Sequence, residues 1–135
     1  MVTKNTFSII KGELVIRLSS TGEILWKGKP NGIDVDYVFT IPDSTDILVI
    51  LDGGAAYKQG KKNLLRFDLQ GNVIWEVESP PEKNLYGPDR DDKSMEVYTD
   101  ISAIDVNFVE AFAYSGYSDV IDIHTGKILK STFVK

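Results

Sequence analysis

Asn63-Leu-Leu-Arg-Phe-Asp-Leu-Gln-Gly-Asn-Val-Ile-Trp-Glu-Val77 decides how this chain folds. It reads as a strand, a tight turn and a second strand carrying a tryptophan. Leu65, Phe67 and Leu69 alternate onto one face, and Val73, Trp75 and Val77 do the same beyond the turn. Glu13-Leu-Val-Ile-Arg-Leu-Ser-Ser-Thr-Gly-Glu-Ile-Leu-Trp-Lys27 repeats the pattern, and Ser118-Asp-Val-Ile-Asp-Ile-His-Thr-Gly-Lys-Ile-Leu-Lys130 repeats it more loosely. One hairpin written three times predicts an antiparallel architecture.

The stretches between the hairpins fit it. Phe7 to Ile10 and Leu14 to Leu18 read as short strands around a Lys11-Gly12 turn. In Ile33 to Ile41 the residues Ile33, Val35, Tyr37, Phe39 and Ile41 share a face opposite Asp34, Asp36 and Thr40, a period of two that excludes a helix. Asp46 to Leu51 is apolar on both faces, as a central strand should be. Asp52 to Lys62 reads as a loop. Residues 79–94 hold three prolines and Asp89-Arg-Asp-Asp92, and form the one long irregular segment. Met95 to Ala103, with Val97, Thr99 and Ile101 inward, Val106 to Tyr114, Tyr117 to Ile123 and Ile128 to Val134 complete the set. The expectation is a single all-β domain over 1–135, an antiparallel meander of about 10–11 strands with no helix. It divides into first hairpins (7–27), a four-strand unit (33–77), the acidic loop and a second four-strand unit (95–134). Consecutive strands joined by short turns pair as neighbours.

Composition limits the function. The 135 residues suffice for one core, 42% of them are apolar, and the net charge is −5. Without cysteine there are no disulfides, thiolate ligands or thiol nucleophiles. Residues 31–100 carry fourteen acids against seven bases, which argues against nucleic acid and suits a basic partner. No apolar run reaches membrane-spanning length and the N-terminus lacks a leader pattern, so a cytoplasmic location is expected.

The Asp-x-x-Gly-x-Val/Ile-x-Trp pattern resembles the quinoprotein-type (PQQ-like) β-propeller repeat. Asp68, Gly71 and Trp75 match it, as do Gly22 and Trp26 with Ser19 for the acid; Asp122, Thr125 and Gly126 match, but Lys130 stands where tryptophan belongs. The resemblance implies four-stranded blades whose tryptophans dock between blades. About two and a half blades cannot close a ring. The expected form is therefore an incomplete propeller, a two-sheet arrangement or a half-open barrel, with sheet edges that are covered, charged or paired, in a homo-oligomer for example. No quinone-binding residue can be placed, so no cofactor is implied. The layout also resembles small bacterial immunity proteins that accompany toxins: Ile50-Leu-Asp52, Gly71 to Glu76, the acidic 79–94 segment and Tyr117 to Ile128.

No catalytic set emerges. His124 is the one histidine and lies in a hairpin turn, with neither a nucleophile elbow nor ligands for zinc. Asp34 and Asp36 share a strand face but nothing else marks them as an acid pair. Asp89, Asp91, Asp92 and Glu96 lack the spacing of a calcium loop. The expectation is a non-enzymatic protein-interaction protein, with an immunity role against a basic toxin as its concrete form. Tyr86, Asp89, Asp91, Asp92 and Tyr98 are the expected partner-binding residues, aromatics among acids. A small-ligand or calcium-binding sensor is the alternative.

Overall fold

The computed structural model describes residues 5–79 and 96–134. Among them are eleven strands in three antiparallel sheets, each built from consecutive strands. The first holds β1 (Asn5–Ile10), β2 (Glu13–Leu18) and β3 (Ile24–Gly28). The second holds β4 (Val35–Thr40), β5 (Ile47–Leu51), β6 (Leu64–Phe67) and β7 (Val73–Glu76). The third holds β8 (Tyr98–Ile104), β9 (Phe108–Ala113), β10 (Tyr117–Asp122) and β11 (Ile128–Phe133). The all-β expectation holds, and no barrel closes among the described residues.

The middle sheet is sandwiched. Ile47, Val49 and Leu51 of β5 pack with Leu14 and Ile16 of the first sheet, while Leu48 and Ile50 pack with Val109, Ala111, Tyr117 and Ile121 of the third. That division explains why β5 is apolar at every position.

Tryptophans set how one sheet meets the next. Trp26 leans edge-on against Phe67 of the middle sheet, ring centroids 4.8 Å apart at 68°. It lies on Gly71, where a β-carbon would run into the indole. Trp75 repeats the arrangement one sheet on. Its Nε1–H donates to the Ile123 carbonyl at 2.8 Å, and a β-carbon on Gly126 would lie 2.7 Å from its ring. Both glycines also have positive φ, 91° and 77°. The conformational freedom of glycine and its lack of a side chain are thus used together.

The turns follow from Asp68 and Asp122. Oδ1 of Asp68 accepts the backbone N–H of Gln70 at 2.9 Å and of Asn72 at 2.8 Å, and Oδ1 of Asp122 accepts that of His124 at 2.8 Å. A register shift sits at the same place in each hairpin: Ile16/Arg17, Arg66/Phe67 and Val120/Ile121. It aligns Arg17, Phe67 and Ile121, and aligns Trp26, Trp75 and Lys130. At the free ends of the series the apolar pair is gone. Lys130 is exposed on the last sheet, and half-buried Arg17 on the first donates through Nη1 to the Gly22 carbonyl at 3.0 Å. The missing tryptophan of the third hairpin marks the sheet with no successor among the described residues.

Three expectations need correction. Residues 53–59 form a helix, α1 (Gly53–Gln59), instead of a loop. Asp52 caps it by accepting the N–H of Gly54 at 3.3 Å, and Gly60 ends it. Its Ala-Ala pair and cap were hidden by the glycines on both sides. In β4, a register shift between Val35 and Tyr37 breaks the alternation, so Tyr37 is 53% exposed while Val35 and Ile41 are buried. In β8, a shift between Tyr98 and Asp100 exchanges the roles of two residues: Tyr98 is buried and Thr99 exposed, while Ile101 packs on the core as expected.

Replacing Trp75 by Ala should lower stability by about 3–5 kcal/mol, whereas Lys130→Ala should stay within about 0.5 kcal/mol of the parent. Urea unfolding of both variants checks this; equal effects would remove the tryptophan docking as the organising contact.

Candidate interaction surface

Consecutive antiparallel strands alternate direction, so the links between them gather at two rims. One rim carries the short hairpin turns at 19–23, 42–46, 68–72, 105–107 and 123–127. The other carries the Lys11-Gly12 turn, the 29–34 link with its 3-10 turn (Pro30–Gly32), helix α1 and the 114–116 turn. Ser79 and Glu96, which flank the 80–95 segment, also lie on this side. We call it the linker rim.

Backbone bonds tie the linker rim together, the first of them between the first and second sheets and the other two within the second and the third. The N–H of Val35 donates to the Gly12 carbonyl at 2.9 Å, that of Asp52 to the Asp34 carbonyl at 2.8 Å, and that of Tyr114 to the Val97 carbonyl at 2.8 Å. Asn63 is fully buried and joins the second and third sheets. Its Nδ2 donates to the carbonyls of Leu51 at 3.2 Å and Tyr98 at 2.8 Å, and its Oδ1 accepts the Tyr98 N–H at 2.9 Å. Gly53 packs against Val97 too closely to admit a side chain. These contacts fix where the chain re-enters the third sheet at Glu96, whose Oε2 accepts the Ser115 hydroxyl at 2.7 Å.

Charge on this rim is unevenly compensated. Three lysines are held internally. Lys29 pairs with Asp34 at 2.9 Å, Lys61 donates to the Asn31 carbonyl at 2.8 Å, and Lys62 donates to the Ser79 hydroxyl at 2.8 Å. Burial pushes the Lys62 ammonium below its usual range against the opposing pull of Glu76, Glu96 and Glu78. Burial also raises the Asp36 carboxyl, with Asp52 and Asp34 adding like-charge repulsion. Among the described residues no cation pairs with Asp36. Tyr57 of α1 and Tyr114 stand out from the same rim, 52% and 78% exposed.

Of the expected partner-binding residues, Tyr86, Asp89, Asp91 and Asp92 lie outside the described residues. Tyr98 does not face solvent: it is 1% exposed and its hydroxyl donates to Oδ2 of buried Asp119 at 2.6 Å. The register shifts of β8 turn it inward, and it leaves the set. Asp36 and Tyr57 were not foreseen as surface residues of this rim. Asp36 was visible as the polar face of a strand, but the helix bearing Tyr57 was read as a loop. Among the described residues no three acids or histidines converge to hold a metal ion. His124 is exposed in its turn.

The arrangement of tryptophan-linked sheets agrees with the comparisons. A family model described as a domain of unknown function (DUF7957) matches residues 34–133. The chain belongs to this DUF7957 family. The search of curated proteins returns no match. Solved structures place the DUF7957 chain among β-propellers. The Myceliophteria thermophila Cps50 (Swd1) propeller domain superposes with a TM-score of 0.71 at 13% identity, covering 97% of this chain and 38% of its own. BamB from Moraxella catarrhalis gives 0.60 at 14%, covering 94% of this chain and 32% of its own. The computationally designed Ika4 protein gives 0.65 at 16%, covering 100% and 70%. The DUF7957 chain therefore spans about a third of the length of the two natural propellers, and the likeness is one of fold. No helix among the described residues is long and apolar enough to cross a membrane.

Two measurements probe the rim. Asn63→Ala orphans the N–H and carbonyl of Tyr98 and should cost about 1–3 kcal/mol in urea unfolding. A raised carboxyl favours the protonated folded state, so ionising Asp36 erodes stability as pH rises through its folded-state value. Asp36→Asn should raise the melting temperature at pH 7, with the gain vanishing once the parent carboxyl is protonated. A loss at pH 7 would contradict the crowding of Asp36, Asp34 and Asp52.

Proposed function

We propose that the chain is a non-catalytic protein-interaction module that binds a basic partner through its linker rim. The observation carrying this reading is the Asp36 carboxylate, crowded by Asp34 and Asp52 and paired with no cation among the described residues, on the rim that also presents Tyr57 and Tyr114. A lysine or arginine brought by a partner would relieve that crowding, and exposed tyrosines suit a binding patch. Tyr86, Asp89, Asp91 and Asp92, in the sequence between Ser79 and Glu96, are proposed as further partner-binding residues. In its concrete form the module is an immunity protein: it holds a basic toxin in a stoichiometric complex and blocks its active surface. The layout of the sequence supports that form.

The test begins with the full chain as bait in lysate of its own host. A stoichiometric basic protein is then purified and titrated against parent and variant chains at two salt concentrations. The Asp89→Ala, Asp91→Ala and Asp92→Ala triple variant, and Asp36→Asn, should each weaken binding about tenfold or more, with less effect at high salt. Unchanged affinity in both would overturn the rim as the contact. A complex in which the partner keeps full activity would overturn the immunity form while leaving the module.

A further inference from the structure

The three sheets are not equivalent, and the difference lies at β1. The first sheet has three strands where the others have four. The shared register shift equates β2 with β6 and β10, so β1 corresponds to β5 and β9, the second strands of their sheets. The packing agrees: β1 lies beside β4 as β5 lies beside β8. The innermost position, filled by β4 and β8 in the other sheets, has no strand in the first sheet among the described residues.

The edge so exposed is the least protected one in the fold. Each of the other five edge strands carries a charged side chain and an interrupted register: Lys27 in β3, Asp36 in β4, Glu76 in β7, Asp100 in β8 and Lys130 in β11. Charges and bulges are how edge strands resist further pairing. The six residues of β1, Asn-Thr-Phe-Ser-Ile-Ile, hold no charge and no proline, and they pair with β2 without a break from Asn5↔Leu18 to Ile10↔Glu13. Ile9 and Ile10 are 40% and 53% exposed. At the other end, the buried Oδ1 of Asn5 accepts no hydrogen bond from the described residues.

We infer that β1 receives an extended segment of another protein, which adds as the missing innermost strand of the first sheet. The occupant is about six residues long, since that is the length of unbroken register available. Its main chain pairs with β1, and its apolar side chains cover Ile9 and Ile10. It carries a basic residue toward the linker rim, where Asp36 of neighbouring β4 stands with Asp34 and Asp52. Charge selects a basic segment over a second copy, whose own β1 is uncharged. The inference stands apart from the acids of the 80–95 segment.

The test uses the full chain and a capped hexapeptide, Val-Lys-Tyr-Val-Phe-Thr, which is the β4 sequence with lysine in place of the aspartate. Amide hydrogen exchange and fluorescence anisotropy are read together. The peptide should slow exchange of alternate β1 amides. Methylating alternate peptide nitrogens should weaken binding about tenfold or more, and Asp36→Asn should weaken it severalfold and flatten its salt dependence. No change in β1 exchange at about 1 mM peptide would overturn the inference. Protection of β1 that rises with protein concentration alone would assign the edge to a second copy and overturn it too. So would full protection in the peptide-free monomer, where the chain itself would fill the edge.

Discussion

The fold depends on an indole resting on a glycine of the next hairpin. Trp26 on Gly71 and Trp75 on Gly126 set the spacing between sheets, because nothing larger than hydrogen fits beneath the ring. Phe67 and the Ile123 carbonyl then fix its orientation, one by edge-on contact and one by a hydrogen bond. Each contact joins sheets that share no strand hydrogen bonds, so the angle between them rests on side-chain packing. The central strand β5 can be apolar throughout because the two docked neighbours cover both of its faces.

Docking of this kind can in principle continue from sheet to sheet. Among the described residues its two outermost positions carry charge. Arg17 occupies the place of Phe67 and Ile121, and Lys130 the place of the tryptophans. Two cations at the two free ends disfavour head-to-tail addition of further copies, since like charges would meet where an apolar contact is needed. The open edge of β1 lacks any such protection, which separates it from every other edge among the described residues.

The same geometry organises function. Alternating strands send five hairpin turns to one rim, and helix α1, the 29–34 link and the turns at 11–12 and 114–116 to the other. The first rim is given over to tryptophan docking, with Arg66 reaching from Asp46 to the Ile123 carbonyl in support. The linker rim has no such task beyond its anchoring bonds around Asn63, and it is there that acids crowd without full compensation and tyrosines stand exposed.

The sequence by itself determined the repeat, the antiparallel pairing of neighbours and the core role of both tryptophans, because alternation and turn chemistry are local and read directly from residue order. Even the loss of tryptophan at Lys130 was legible, though its meaning was not. Only the tertiary structure decided which sheet face each side chain meets. Register shifts in β4 and β8 reversed the faces of Tyr37 and Tyr98, and a shift of one residue moves every later side chain across the sheet without altering composition. Likewise Asp34, Asp36 and Asp52 form a rim cluster only because β4 and β5 are folded back on one another, a proximity that charge counting along the chain cannot supply.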